Sequence, residues 1–352
     1  MPAIDTHGGW GAVLATLSSR TDLPREVAKD ALMTILEGEA TEAQIAGFIV
    51  ALRIKGESVE EITGLVEAMM ENVAPLTVPS GTIDIVGTGG APTRRTGALS
   101  VSTMACFVAV GAGARVAKHG NVKASATSGA MDTLEALGVT IGLDGDGVAA
   151  CIERTGCGFI FAKAFHPALR FAGPVRVQLA IPTVFNVLGP MANPGRVDRQ
   201  VVGVADPVMQ DKVAGVFAER GSKRSLVVHG SDGLDEITLT GTTRIVEVAD
   251  GSIVSTTEFD PAAIGINVVD ASELIGGDPA DNARIARAMF AGEDTSARRD
   301  IVAVNAGAGL VVAGLADDLA AGYEAALGAI ASGAAARVLE SVVSASADLA
   351  TT

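Results

Sequence analysis

The hydrophobic period of the chain changes at Pro75 and Pro79, and that change divides what it can fold into. Before it, Thr41 to Gln44 and Ser58 to Glu61 each fit a capping box, a hydroxyl residue with Gln or Glu three places on. Behind these starts, Ile45, Phe48, Ile49 and Leu52 recur at helical spacing, as do Ile62, Leu65, Val66 and Met69. "KGES" (55–58) turns one helix into the next, so residues 8–78 are expected to be purely helical.

After the prolines, short apolar runs alternate with segments of helix length. "TIDIVG", "RVAKHG", "GFIFAK", "QVVGVAD" and "SLVVHG" read as strands, with "VSTMACFVAVGAG", "SGAMDTLEALG" and "VMQDKVAGVFAERG" as helices between them. Such alternation implies a largely parallel sheet covered by helices on both faces. The Thr- and Val-rich run at 233–259 suits antiparallel hairpins. "DIVAVNAGAGLVVAGL" reads as a return of the alternation before an Ala-rich helix. The Pro-punctuated segment 164–195 interrupts the pattern and is expected to pack back on the first helices. The expected fold class is therefore α/β, with a small N-terminal helical domain (1–78) and a larger domain (79–352) whose mostly parallel sheet is flanked by helices.

Composition narrows the partners. A formal charge of −15 disfavours a nucleic-acid or anionic-membrane surface, since like charges repel at long range. Aromatic residues are 3% of the chain, too few for a base-stacking platform. A small anion held by a few local cations remains compatible. Cys106, Cys151 and Cys157 lie in apolar contexts without metal-ligand spacing and read as reduced core thiols. The start has neither a basic region nor an apolar one of the secretory kind, and no apolar run reaches membrane-spanning length. Cytoplasmic location is the expectation.

Four constellations carry candidate chemistry. In "DIVGTGGAPTRRTGALSVST" (84–103), Gly87, Gly89 and Gly90 follow a strand, and Ser100, Ser102 and Thr103 open the next helix. Bare backbone and a helix N-terminus suit an anion, although a tight βα turn with an N-cap serine has the same appearance. The stretch is neither a Walker loop nor a dinucleotide fingerprint. In "AKHGNVKASATSG" (117–129), Lys118, His119, Asn121, Lys123 and Ser125 form a dense polar set at a strand end, suited to phosphate or to solvent. Asp235 and Glu236 are adjacent in "HGSDGLDEITL" and read either as an exposed turn or as a magnesium site shared with a diphosphate. Arg176, with His166 in the same interrupting segment, is a fork donor suited to a carboxylate, or else a surface ion-pair partner.

Together with "GEATEAQIAGFIVALRIKGESVEEITGLVEAM" (38–69), "PTVFNVLGPMANP" (182–194), "VVHGSDGLDEIT" (227–238) and "VNAGAGLVVAGLA" (304–316), these motifs resemble the anthranilate phosphoribosyltransferase family nearly end to end. The resemblance implies a cleft between the two domains, a homodimer formed through the helical domain, and Mg2+ as cofactor. It implies transfer of the phosphoribosyl group of 5-phosphoribosyl 1-diphosphate to the amino nitrogen of anthranilate. By motif match, the donor would meet Gly87, Gly90, Ala91, Ser100, Ser102, Thr103, Lys118, His119, Gly120, Asn121, Lys123 and Ser125, with Arg94 and Arg95 as further candidates. Anthranilate would meet Gly87, His119, Asn121, His166 and Arg176, and the metal would meet Ser102, Asp235 and Glu236. The chain departs from the family pattern at Ala91 (usually Asp), Ser100 (commonly Asn) and Val122 (normally Arg), and its glycine loop is about three residues longer. A divergent enzyme acting on another aromatic amine, or a non-catalytic binding relative, is the rival expectation. No side chain stands out as a covalent nucleophile.

Overall fold

In the computed structural model, which describes residues 2–91, 97–123 and 126–350, the chain begins with helices α1 (Gly9–Ser18), α2 (Arg25–Leu36), α3 (Glu42–Lys55) and α4 (Val59–Glu71). Both capping boxes form. Thr41 Oγ1 accepts from Gln44 N while the Gln44 side chain accepts from Thr41 N, and Ser58 pairs with Glu61 in the same way. A cap of this kind contributes about 1 kcal/mol. Glu61 does more than cap. Its buried carboxylate also accepts from Leu23 N at 2.9 Å and Lys55 Nζ at 2.8 Å, tying the start of α4 to the chain before α2 and to the end of α3.

Seven strands follow among the described residues: β1 (Asp84–Gly87), β2 (Val116–Gly120), β3 (Cys157–Phe161), β4 (Arg199–Gly203), β5 (Arg224–Gly230), β6 (Thr243–Ala249) and β7 (Ser252–Phe259). They divide into a sheet of order β1-β4-β5-β6-β7 and a pair, β2-β3. The β1–β4, β4–β5 and β2–β3 pairings are parallel, whereas β6 and β7 add antiparallel at one edge. The expected hairpin thus forms from 243 to 259, and the stretch before it is irregular. Between β1 and β2 the only strand pairing among the described residues is a parallel bridge, Ile83 to Val116. Side chains fill the rest of that seam. Lys118 Nζ donates to Ile85 O at 2.5 Å, and His119 N donates to the Asp84 carboxylate at 3.3 Å.

Strand residues alternate between two cores, as period-two burial requires. Val86, Val202, Val227 and Val246 share a core with helix Pro207–Glu219, which packs on β5 and β6, and with α1–α4 beyond it, while Ile85, Val201, Leu226 and Ile245 face the other way, toward α5 (Val101–Gly111) and the C-terminal helices. The interrupting segment packs back on the first helices as expected, contributing Ala172, Val175, Phe185, Leu188 and Met191 to their core. One expectation fails. "DIVAVNAGAGLVVAGL" is helix Ala297–Ala313, buried along nearly its whole length, and no strand. A continuous apolar run carries no period that separates a buried strand from a buried helix, and the 17-residue length settles it as helix.

Candidate active site

The end of β1 opens into Gly87–Gly90. Gly89 and Gly90 sit at φ of 68° and 89°, in the left-handed region that glycine occupies without a Cβ clash. Gly87 is needed for a different reason: a Cβ there would run into the Asp235 carboxylate. Further along the chain, after Ser100, is the N-terminus of α5. Its N-cap, Ser100, makes no side-chain cap bond, because the hydroxyl turns to Thr133 Oγ1 at 2.7 Å while the Ser100 amide donates to Asn282 Oδ1 at 2.8 Å. The first-turn amides of α5 are left for a ligand, with Ser102 half-buried beside them.

Lys118 is 1% exposed, which for a lysine demands partners. Ile85 O and Ser102 Oγ, the latter at 3.2 Å, hold its ammonium at the cavity wall. Behind it lies the fully buried Asp84, which also accepts from Asn193 Nδ2 at 2.8 Å. Burial raises the Asp84 carboxyl to about 6, against the pull of Lys118.

His119 and His166 lie face to tilted face, with ring centroids 5.2 Å apart. Burial drives both imidazoles toward the neutral form, His119 to about 3 and His166 to about 4. His119 Nδ1 lies 3.0 Å from Gly189 O, an acceptor, which assigns the proton to Nδ1 and leaves the buried Nε2 as a lone pair. The His166 Nε2 is committed to Ala192 O in the same manner. Helices α6 (Ala130–Ala136) and α7 (Gly145–Thr155) precede α8 (Gly173–Leu179), on which Arg176 is half-buried. Its guanidinium is 5.0 Å from the Phe185 ring centroid, and burial lowers its pKa.

The acidic pair is not on an exposed turn. Asp235 is 2% exposed and Glu236 3%, because the turn is pressed onto the ends of β1 and β4. Asp235 Oδ2 accepts from Gly89 N at 2.7 Å.

A cavity of about 340 Å³ collects these groups at the carboxyl ends of β1 and β2. Gly87, Gly90, Ser100, Ser102, Thr103, Lys118, His119, Gly120, Asn121, Lys123, His166, Arg176 and Asp235 all line it. Val122, one of the three departures, lines it too. Ala91 is buried and is not among the lining residues. Glu236 lines a neighbouring cavity of about 230 Å³ together with Leu99 and Ile275. Arg94, Arg95 and Ser125 lie outside the described residues. Residue-by-residue reading of the sequence missed Met69, Leu169, Phe185, Asn186 and Gly189, which complete the wall from the helical side. "PTVFNVLGP" had signalled the last three only as a motif.

Among the described residues no three His, Cys, Asp or Glu side chains converge as an all-protein metal cage. One carboxylate and one hydroxyl on a phosphate-sized cavity instead fit Mg2+, a hard cation that keeps waters and shares substrate phosphates.

Residues 12–73 match the family model described as the glycosyl transferase family, helical bundle domain, and residues 80–336 match its a/b domain. The chain is thus a two-part glycosyl transferase of that class. It is 46% identical over 346 residues to the anthranilate phosphoribosyltransferase of Methylorubrum populi, covering 98% of this chain and 99% of that one. The crystal structure of the Thermus thermophilus anthranilate phosphoribosyltransferase superposes with a TM-score of 0.89 at 38% identity, over 95% of this chain and 99% of that one. The Saccharomyces cerevisiae enzyme, solved with PRPP and Mg, gives 0.86 at 26% identity over 96% and 98%. It has also been solved with 4-fluoroanthranilate. This chain belongs to the anthranilate phosphoribosyltransferase family.

Proposed function

We infer that this chain is a pentosyltransferase that moves the phosphoribosyl group of 5-phosphoribosyl 1-diphosphate onto the amino group of anthranilate, a step of tryptophan biosynthesis. The observation that carries the reading is the single cavity holding both Lys118 with the glycine turn and Arg176 with His119. One end is built for phosphates and the other for a carboxylate beside an amine.

In the reaction the ribose C1–oxygen bond breaks, diphosphate leaves with the electron pair, and the amino nitrogen bonds to C1 and loses a proton. The amides of Gly87–Gly90 and the start of α5 cradle phosphate oxygens, and Lys118 places its charge where negative charge builds on the leaving group. Thr103, Gly120, Asn121 and Lys123 border the same end, with Ser100 shaping the loop through Thr133 and Asn282. Arg176 orients the anthranilate carboxylate, and His119, which lines the same cavity, borders the acceptor end. Asp235 and Ser102, with Glu236 behind Asp235, would hold Mg2+. When bound there, Mg2+ would supply positive charge to offset that of the diphosphate leaving group. Positioning and fixed electrostatics supply the rate, with no covalent intermediate on the protein.

We propose further that the enzyme is a cytoplasmic homodimer joined through the helical domain, with the division between domains near residue 78. The resemblance supports the dimer, and Ile54 of α3, 68% exposed, is an apolar side chain such a contact would cover. Among the described residues no single helix is long and apolar enough to cross a membrane. Diphosphate release from purified protein, measured with and without anthranilate and with and without Mg2+, tests the reaction. Donor-dependent binding without anthranilate-dependent release favours the non-catalytic rival.

A further inference from the structure

Arg176 has an unusual environment for a group proposed to bind a carboxylate. Among the described residues its guanidinium makes no hydrogen bond and no ion pair, and burial has removed part of its water. What it does touch is the face of Phe185, with Cζ 5.0 Å from the ring centroid. Phe185 itself is fixed. It is 7% exposed, it begins helix Phe185–Met191, and it belongs to the core formed with α1–α4. The turn before it is braced by Asn186 N donating to Thr183 O and Thr183 N donating to Asn186 Oδ1.

An arginine has several freely rotating bonds, and a binding site that needs its fork in one place must restrict them. Elsewhere in this chain that restraint comes from carboxylates, as for Arg224 with Glu247, or from backbone carbonyls, as for Arg220 with Met191 O; Arg170 also lies over an aromatic ring, that of Phe171. A carboxylate beside Arg176 would compete with an acidic ligand. An aromatic face attracts the cation through its quadrupole and leaves every N–H donor unspent.

We propose that Phe185 is a positioning residue for acceptor recognition: its ring carries the Arg176 guanidinium in place for the carboxylate of an aromatic amine. This rests on the reading of Arg176 as the carboxylate contact. The helix that carries Phe185 is anchored in the N-terminal helical core, so acceptor affinity is set in part by the packing of that domain.

The test is a double-mutant cycle in full-length protein, following KM for anthranilate, KM for the donor, kcat and thermal unfolding. Phe185→Leu and Phe185→Met remove the aromatic face while keeping apolar bulk. Each is expected to raise KM for anthranilate roughly 5- to 20-fold, the loss of one desolvated cation–π contact, with donor KM and saturated kcat little changed. Phe185→Tyr, which retains the ring, should keep wild-type KM. In an Arg176→Ala background, Phe185→Met should add less than about a twofold change, because the residue acts through the missing guanidinium. An equal effect in both backgrounds overturns the inference, as does a parallel rise in donor KM. Absence of anthranilate-dependent release from the wild-type chain overturns the reading beneath it, and the two failures are thereby distinct.

Discussion

Asn305 grips Ile237 by both polar groups of its backbone: Oδ1 accepts from Ile237 N and Nδ2 donates to Ile237 O, each at 2.9 Å. Sixty-eight residues of chain separate the two, and Asn305 is 2% exposed. The grip matters because Ile237 directly follows Asp235 and Glu236. On the opposite side a Cβ on Gly203 would collide with the Asp235 carbonyl, so the acidic turn is held between a buried amide and a bare strand end. Replacing Asn305 with Ala leaves two buried backbone groups without partners, at about 1–3 kcal/mol each. The expected outcome is a lower melting temperature and a higher Mg2+ concentration for half-maximal activity, with KM for anthranilate unchanged. A Mg2+ titration that matches wild type would separate Asn305 from the metal.

Substituting the acidic pair itself should act on turnover. Asp235→Asn with Glu236→Gln preserves shape and removes charge, and is expected to lower kcat by roughly 100-fold or more while far-UV circular dichroism stays native. Asp235 lines the main cavity and Glu236 the neighbouring one, so the single Asp235 variant should account for most of the loss. Full activity in the double variant would reduce both carboxylates to structural roles.

Arg176→Ala should weaken the acceptor selectively. A charge-assisted hydrogen bond is worth about 1.5–3 kcal/mol, which is roughly a 10- to 100-fold rise in KM for anthranilate. Steady-state kinetics with the donor varied at saturating anthranilate should show little change. An unaltered anthranilate KM takes Arg176 out of the site.

The buried histidines predict acid sensitivity. His119 and His166 stay neutral in the fold to about pH 3 and 4, whereas their ordinary pKa is 6.5. Below pH 6.5 the unfolded chain therefore binds protons that the folded chain refuses, and stability falls with pH. Asp84 acts oppositely: held up to about 6 from 3.8, it keeps a proton the unfolded chain has lost, so it adds stability as pH falls from 6 toward 4. Two histidines against one aspartate leave a net loss of about 1.4 kcal/mol per pH unit in that window. His166→Asn should remove about that slope. Urea unfolding at pH 6, 5 and 4 for wild type and variant gives the comparison, and parallel curves would refute the assignment.

Local order along the chain determined much of this protein. The capping boxes at Thr41 and Ser58, the apolar stripes behind them and the glycine turn after β1 are legible because caps, helical period and left-handed backbone each depend on a few neighbouring residues. Motif order was enough to place Lys118, His119, Arg176 and Asp235 in one family of sites, and the structure sets them around one cavity. Tertiary structure decided the remainder. Whether "DIVAVNAGAGLVVAGL" is strand or helix depends on what surrounds it, since a segment buried on every side shows no amphipathic period. Ser100 lines the cavity, but that its hydroxyl meets Thr133 could not be read locally, and the burial of Asp235 and Glu236 depends on Asn305 and Gly203, far away in sequence. The break between β1 and β2 belongs with these. A buried lysine beside a buried aspartate takes the place of a backbone ladder there, and only the folded chain brings Asp84, Lys118 and Asn193 close enough to satisfy one another.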